Sequence, residues 1–433
     1  MRVRPTLPIH VRIGQTASRR VGCISSAIRH VTSLESDLKQ LQESSIGARR
    51  DQKDGSGRLD LICACLVGFA FSANYTNHAP LIPSLTETFG FSLALAGFLT
   101  TGIFLTHAAM QIPGGHLADR LGARRVITIA LAQVCIGNFA IAFASAYWQL
   151  LCWKIFVGLG TGTCFVAGAR YIAAAYPGRR SHLAQGYYGG SILLGSGFVI
   201  FAVPRFAAAF GWRGGFLATA VVAAAAWAVW ALASPASPQQ RHAPGSFGGM
   251  IANLQLWRLG FAQMASFGLV IVVSSWITTF LRRSLQLDAV PAGLLGSVAL
   301  LLGIVMRPLG GALVRRIGVC PLLHLSLILS AGGCFMLALA AGSLTWTALA
   351  IALVGTGCGL PYAALFTRAA ELFPGRAGAA MGLVNMLGII MILAAPPMIG
   401  KLVEWSGSFQ SSFLALGGFS LLALAGTFGI HKS

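Results

Sequence analysis

The sequence predicts an all-α membrane protein with twelve transmembrane helices, arranged as two parallel-duplicated six-helix halves. Three observations carry this. First, 56% of the 433 residues are apolar and only 10% are charged, against about 25% charged in a soluble globular domain. Second, from Leu61 onward apolar stretches of spanning length alternate with short basic or Gly/Pro loops. Twelve spans of about 20 residues consume roughly 240 residues, which fits this length. Third, the chain repeats itself. Gly114, Gly115, Arg120 and Gly122 recur as Gly310, Gly311, Arg316 and Gly318, an offset of 196. Gly158, Gly160, Gly162 and Pro177 recur as Gly355, Gly357, Gly359 and Pro374. Gly189, Gly195, Pro204 and Trp212 recur as Gly382, Gly388, Pro397 and Trp405. A soluble enzyme, a secreted disulfide scaffold and a disordered chain are excluded by the composition alone.

Residues 1–58 stand apart as a tail, with eleven Lys/Arg, five Asp/Glu and no acid before Glu35. Their Arg-rich start has the character of an organellar transit peptide, with a plain basic tail or an upstream start-site extension as alternatives. A short amphipathic helix is possible from Ser33, with Leu34, Leu38 and Leu41 on one face. The first half, 59–234, holds apolar spans at about 61–85, 94–117, 126–145, 148–175, 184–207 and 216–234. A polar cytoplasmic linker is expected at 235–256. The second half, 257–433, holds spans at about 257–281, 290–313, 319–341, 345–370, 378–402 and 411–430. Gly, Ala and Ser are scattered through all twelve, as close helix packing in lipid requires.

The net charge of +20 would suggest nucleic acid in a soluble chain. Here position explains it. Arg120, Arg124, Arg125, Arg170, Arg179, Arg180, Arg241, Arg258, Arg315, Arg316, Arg368, Arg376 and Lys432 fall on one side of the spans, and only Arg205, Arg213, Arg282, Arg283 and Lys401 on the other. The positive-inside rule then puts both termini in the cytoplasm, and no nucleic-acid partner is expected. Nine cysteines without a CxxC pair read as small apolar residues. No cofactor and no metal are expected.

Two cations remain inside spans. Arg307 lies eight residues, about 12 Å, before Arg315, near the midplane of a ~30 Å core. Facing lipid there would cost from about 3 to more than 10 kcal/mol, so Arg307 faces the interior as a functional candidate. Packing against carbonyls is its bland alternative. Lys154 is divided between function and snorkelling to the interface. The other intramembrane polar candidates are Asn74, Tyr75 and His78 in the first span, His107 and Gln111 in the second, and Asn385 in the eleventh. Asn74 and His78 share a helix face at i,i+4, as do His107 and Gln111. The repeat places Gln111 opposite Arg307. No Asp or Glu lies in the middle of a span, which favours an anion over a cation in the cavity and disfavours carboxylate-based proton symport.

The loop Gly115-His116-Leu117-Ala118-Asp119-Arg120-Leu121-Gly122-Ala123-Arg124-Arg125 resembles the signature loop of the major facilitator superfamily, and the resemblance covers residues ~60–430. It implies a transporter that works by alternating access. It also implies a cytoplasmic gate built from Gly115, Asp119, Arg120, Gly122 and Arg124, with Asp119 near a helix N-terminus. In the second copy Arg315 stands where the acid would be. Lys154 with Gly158, Gly160 and Gly162 resembles the family's R-x-x-x-G-x-G-x-G helix, with Lys for Arg. Arg307 with its following Gly310-Gly311 is similar to the substrate arginine of nitrate/nitrite porters, whose second arginine is Gln111 here. The first span resembles the N-Y-x-D-R-A helix of organic anion symporters, with Asn77 and His78 in place of the charged pair. The expected activity is secondary transport of a small organic or inorganic anion by a monomer in a bacterial-type plasma membrane, in contact with membrane lipid. Export or facilitated movement of a small neutral compound is the alternative, and a transporter-like sensor a distant one. An enzyme is not expected, because neither HExxH nor a Ser/Lys pair is present at depth.

Overall fold

The computed structural model describes residues 58–176, 179–235, 248–339, 342–373 and 377–428. The expected tail, its short helix and most of the linker lie outside them. The described residues are helical, without strands. In order they form α1 (58–72), α2 (Ile82–Phe89), α3 (Leu93–Ala109), α4 (Gln111–Leu121), α5 (Ala123–Ile141), α6 (Tyr147–Ala175), α7 (Arg179–Ala233) and the short α8 (Gly248–Ile251). There follow α9 (Leu254–Gln263), a π turn at Met264–Gly268, α10 (Leu269–Ser284), α11 (Ala289–Ile317), α12 (Val319–Leu339), α13 (Leu344–Gly359), α14 (Tyr362–Leu372), α15 (Ala377–Ser406) and α16 (Gln410–Thr427).

Nine helices among the described residues are long and apolar enough to cross a membrane, and the pair α3 and α4, bent by 44°, makes a tenth. The 50-residue apolar stretch Ala184–Ala233 within α7 would be about 75 Å long as one rod, more than twice a hydrocarbon core. It breaks at Phe210 and at Gly211, whose φ of +67° is left-handed, and so turns back as two crossings without the loop the sequence suggests. The remaining crossing is the first, and it is not one helix. Expected as a single span over 61–85, the chain instead leaves α1 for a turn at 73–78 and resumes as a 3-10 turn at Ala79–Leu81 followed by α2. Pro80 and Pro83 lack amide donors, so one helix running through them would lose two hydrogen bonds, whereas each is tolerated in the first turn of a new helical segment, where it is found. Asn74, Thr76 and Asn77 offer the backbone competing side-chain partners.

The duplication in the sequence is a duplication of packing. A methyl on Gly158 would strike the Ile103 carbonyl, and one on Gly355 the Ala299 carbonyl. Gly160 lies on Ala130 and Val134, Gly357 on Ser326 and Ser330. Gly162 lies on His107, Gly359 on Gly303 and Met306. Ala299, Ser326, Ser330 and Gly303 each lie 196 residues after Ile103, Ala130, Val134 and His107. The turns that follow α4 and α11 are alike too: Gly122 and Gly318 have φ of +84° and +85°. The same relation governs contacts between the halves, where Gly97 in α3 abuts Pro396 and Pro397 in α15, and Gly293 in α11 abuts Ile200 and Pro204 in α7.

Hydrogen bonds join the halves at one end of the bundle and near its middle. Glu404, at the end of α15, accepts from the Ala94 amide in the first turn of α3 at 3.0 Å. Thr101 donates to the Leu393 carbonyl at 2.8 Å, and Thr100 to Ser275 at 3.3 Å. Deepest lies the bond from Arg307 to the Gly189 carbonyl, 2.8 Å. The bundle is therefore closed at its Glu404 end, opposite the Asp119 loop.

Candidate functional site

Arg307 sits in α11 with 9% of its surface exposed. Its guanidinium donates to the Gly189 carbonyl of α7 and lies 4.0 Å from the centroid of the Tyr362 ring, at the start of α14. A cation over an aromatic face is stabilised electrostatically, more so when desolvated. A methyl on Gly189 would press on the Tyr362 hydroxyl at 2.9 Å and on the guanidinium at 3.4 Å, and so would displace the ends of both side chains. The Arg307 Nε is buried without a partner, and among the described residues no carboxylate pairs with it. The group thus bridges the two halves and retains donor capacity that a planar oxyanion can use.

His107, near the end of α3, is 2% exposed. Its Nδ1 lies 3.2 Å from the Thr161 hydroxyl and 3.5 Å from that of Tyr75. The Tyr75, Phe104 and Phe165 rings surround it at 5.3, 5.7 and 5.6 Å. The chain bends just beyond it, at Met110, so His107 and Gln111 do not continue one helix face as the spacing implies; Gln111 instead reaches back to the His107 carbonyl at 3.5 Å. Among the described residues no hydrogen bond brings His107 or Gln111 to Arg307. An aromatic wall links the two places. Phe71 touches Tyr75, Phe165 and Tyr188, and Tyr188 is the neighbour of Gly189. Asn385 stands elsewhere, accepting from Gln263 at 3.4 Å beside the π turn.

The first span corrects a further expectation. Asn74 and His78 do not share a helix face, because the chain between them is unwound. Both are fully buried. Asn74 donates back to the Ala70 carbonyl at 2.8 Å. His78 meets Thr100 through Nε2 at 2.9 Å and leaves Nδ1 buried without a partner.

Lys154 does not snorkel. Its ammonium stays inside the first half, 1% exposed, where it donates to the Asn74 carbonyl at 3.1 Å and to the Asn77 side-chain oxygen. Asn77 passes the interaction on to Asn138 at 3.0 Å and Thr219 at 2.9 Å. Lys154 is therefore engaged with protein acceptors.

At the Asp119 loop, Arg170 donates to the Gly115 carbonyl at 2.7 Å, which is why the chain is tight at Gly115. Arg120 is exposed, and Gly122 supplies the left-handed turn. Arg124 is held within its own half. It donates to Ser234 at 2.9 Å and to the Ala231 carbonyl at 3.0 Å, closing the end of α7 within its own half. The side chains of Asp119 and Arg315 lie outside the described set.

Sequence reasoning missed Tyr362, Gly189, Thr100, Ser275 and Glu404. Two carried a signal: Glu404 as one of the few acids beside the bundle, and Gly189 as a glycine of the internal repeat.

The signature loop, the doubled glycine packing and the paired halves find a match in a family model, described as Major Facilitator Superfamily, over residues 64–396 and 259–431. The chain belongs to the Major Facilitator Superfamily. It is a multi-pass integral membrane transporter. Similar members include a probable nitrate/nitrite antiporter, NarK1, of Thermus thermophilus, 26% identical over 79% of this chain and 84% of that one. A probable nitrate transporter, NarT, of Staphylococcus epidermidis is 24% identical over 88% of this chain and 98% of its own. A nitrite extrusion protein of Bacillus subtilis is 23% identical over 78% and 85%. Among solved structures of the fold, a bacterial homolog of the human lysosomal transporter Spinster, inward-facing and occupied, aligns with TM-score 0.70 at 18% identity, covering 85% of this chain and 95% of that one. The nucleoside transporter NupG aligns at 0.71 and 14% identity, covering 86% and 100%.

Proposed function

We propose that this superfamily member exchanges a small oxyanion of the nitrate/nitrite class across a plasma membrane by alternating access, with Arg307 as the principal anion anchor. The observation that carries the reading is a guanidinium buried between the halves, without a carboxylate partner among the described residues and with an unpartnered Nε. The relatives' nitrate and nitrite substrates support the same class. Tyr362 stiffens the arginine, while Tyr75, His107 and Thr161 form a second polar cluster behind the aromatic wall. Gln111 stands where the porters it resembles carry a second arginine, so a single positive charge meets the substrate. The basic residues favour the Asp119 end as the cytoplasmic one, with both termini inside. On that orientation the outer end is the closed one, and rocking of the halves about Arg307 opens it.

The test is counterflow in proteoliposomes loaded with unlabelled nitrate, nitrite or small monocarboxylates. Arg307→Ala should abolish uptake of the labelled anion, and Arg307→Lys should retain weak binding, because a lysine cannot make two parallel bonds to an oxyanion. Counterflow of a neutral solute that ignores every anion in the panel would overturn the reading.

A further inference from the structure

We infer that Lys154 is a positioning residue: it holds the unwound stretch 73–78 in the one arrangement that sets Tyr75 at the site and His78 at the closed seam. An unwound segment inside a membrane bundle leaves carbonyls without helical partners, and each must find a donor. Here turn amides serve some of them, Tyr75 the Ser72 carbonyl at 3.0 Å and Ala79 that of Thr76 at 2.9 Å, and side chains supply further donors. Ser196 donates to the Ser72 carbonyl at 3.0 Å, Asn74 to that of Ala70, and Lys154 to that of Asn74. Two residues hold the stretch at two points each: Ser196, whose carbonyl also accepts from the Thr76 hydroxyl at 3.4 Å, and Lys154, which also grips the Asn77 side chain three residues beyond Asn74. Nζ meets acceptors at the Asn74 carbonyl and the Asn77 amide oxygen, faces the Phe216 ring at 5.7 Å, and lies within electrostatic reach of the His78 imidazole. The Asn77 amide nitrogen is turned away toward the oxygens of Asn138 and Thr219, which fixes the orientation of its oxygen toward the lysine. An ammonium with three donors fits this pocket, which among the described residues contains no carboxylate.

The held stretch touches both working parts of the transporter. Tyr75, one residue after the pinned carbonyl, meets His107 with its hydroxyl and its ring. His78, one residue after the pinned amide, bonds Thr100, which bonds Ser275 across the halves. Release of the seam must move His78, and with Lys154 in place that movement passes along five residues to the wall of the site. The lysine thus couples closure at the Glu404 end to the site, without touching the substrate. The inference uses the anion reading above only for its binding measurement.

The experiment separates binding from turnover on the full-length protein in lipid. Lys154→Met should slow nitrate counterflow by about tenfold or more while nitrate-induced thermal stabilisation keeps its midpoint within about threefold. Lys154→Arg, which keeps donors and charge, should recover part of the rate. Asn77→Ser, a milder change that leaves the Asn74 contact intact, should move the rate in the same direction and carries the test where Lys154→Met does not fold. Wild-type turnover in these variants would overturn the inference, as would loss of binding in step with turnover, the behaviour expected of Arg307→Ala. Where no anion binds even the wild-type protein, the substrate reading fails and amide hydrogen exchange still tests the lysine. Lys154→Met should then speed exchange over residues 73–101, and unchanged exchange there would overturn it.

Discussion

Arg307 shows how much a residue-scale argument from sequence can reach. Its depth, set by the eight residues to Arg315, and the penalty for an arginine against lipid place it inside the bundle, where it is found. Its partners were not legible, because Gly189 and Tyr362 come from other crossings and only the fold brings them within reach. The geometry makes a graded prediction. Tyr362→Leu removes the ring face but leaves the guanidinium, so it forfeits about 1 to 2 kcal/mol of cation–aromatic stabilisation. That corresponds to a rise in KM of roughly five- to thirtyfold, with the maximal rate less affected. Counterflow at varied anion concentration checks it; an unchanged KM would show that the ring does not hold the arginine in the working protein. Gly189→Ala should behave more severely, because a methyl has no room between Tyr362 and Arg307.

At the scale of elements, the glycine-rich helices were readable in advance and the broken first span was not. Glycines at 158, 160 and 162 mark close approach in any helix of this kind, and their second copies confirm a shared geometry. The break at 73–78 lies in a stretch apolar enough to pass for one helix, and what supports it is Lys154, a residue of α6, nearly eighty positions later. Periodicity within a segment cannot report a partner that far along the chain. The same limit hid the cap on α3. Ser92 accepts from the Leu95 amide within the chain, as a helix N-cap should, while Glu404 accepts from the Ala94 amide across the halves. Glu404→Gln keeps the shape and removes the charge, weakening the clasp by about 0.5 to 1 kcal/mol. The closed end should then open more often, and amide exchange over residues 93–101 should accelerate by roughly two- to fivefold. Equal exchange in the two proteins would mean that the Gly97 and Pro396 contact holds the end shut by itself.

For the whole molecule, the distribution of acids decides what can drive transport. Proton coupling in a membrane bundle needs a group at depth that takes up and releases a proton as the halves rock, and carboxylates are the usual choice. Among the described residues the acids stand at helix ends: Asp60 at the start of α1, Glu87 in α2, Asp119 near the end of α4, Asp288 before α11, Glu371 near the end of α14 and Glu404 near the end of α15. Asp60 is buried, but it is held by the Tyr171 hydroxyl, which also reaches the Pro235 carbonyl, in the cluster that ties down the end of α7. The two buried imidazoles belong to the aromatic wall and the seam. Their partners are hydroxyls, so no carboxylate is present to stabilise an imidazolium on either. An arginine that is neutralised only by the arriving anion offers a different logic, in which the loaded halves cross readily and the empty ones, with an uncompensated guanidinium, do so reluctantly. That logic is exchange. Labelled nitrite entering vesicles preloaded with nitrate should therefore move at a rate that a protonophore changes by less than about twofold, while vesicles without internal anion take up little. Accumulation driven by an imposed pH gradient into anion-free vesicles would refute exchange and return His107 or His78 to the role of proton carrier.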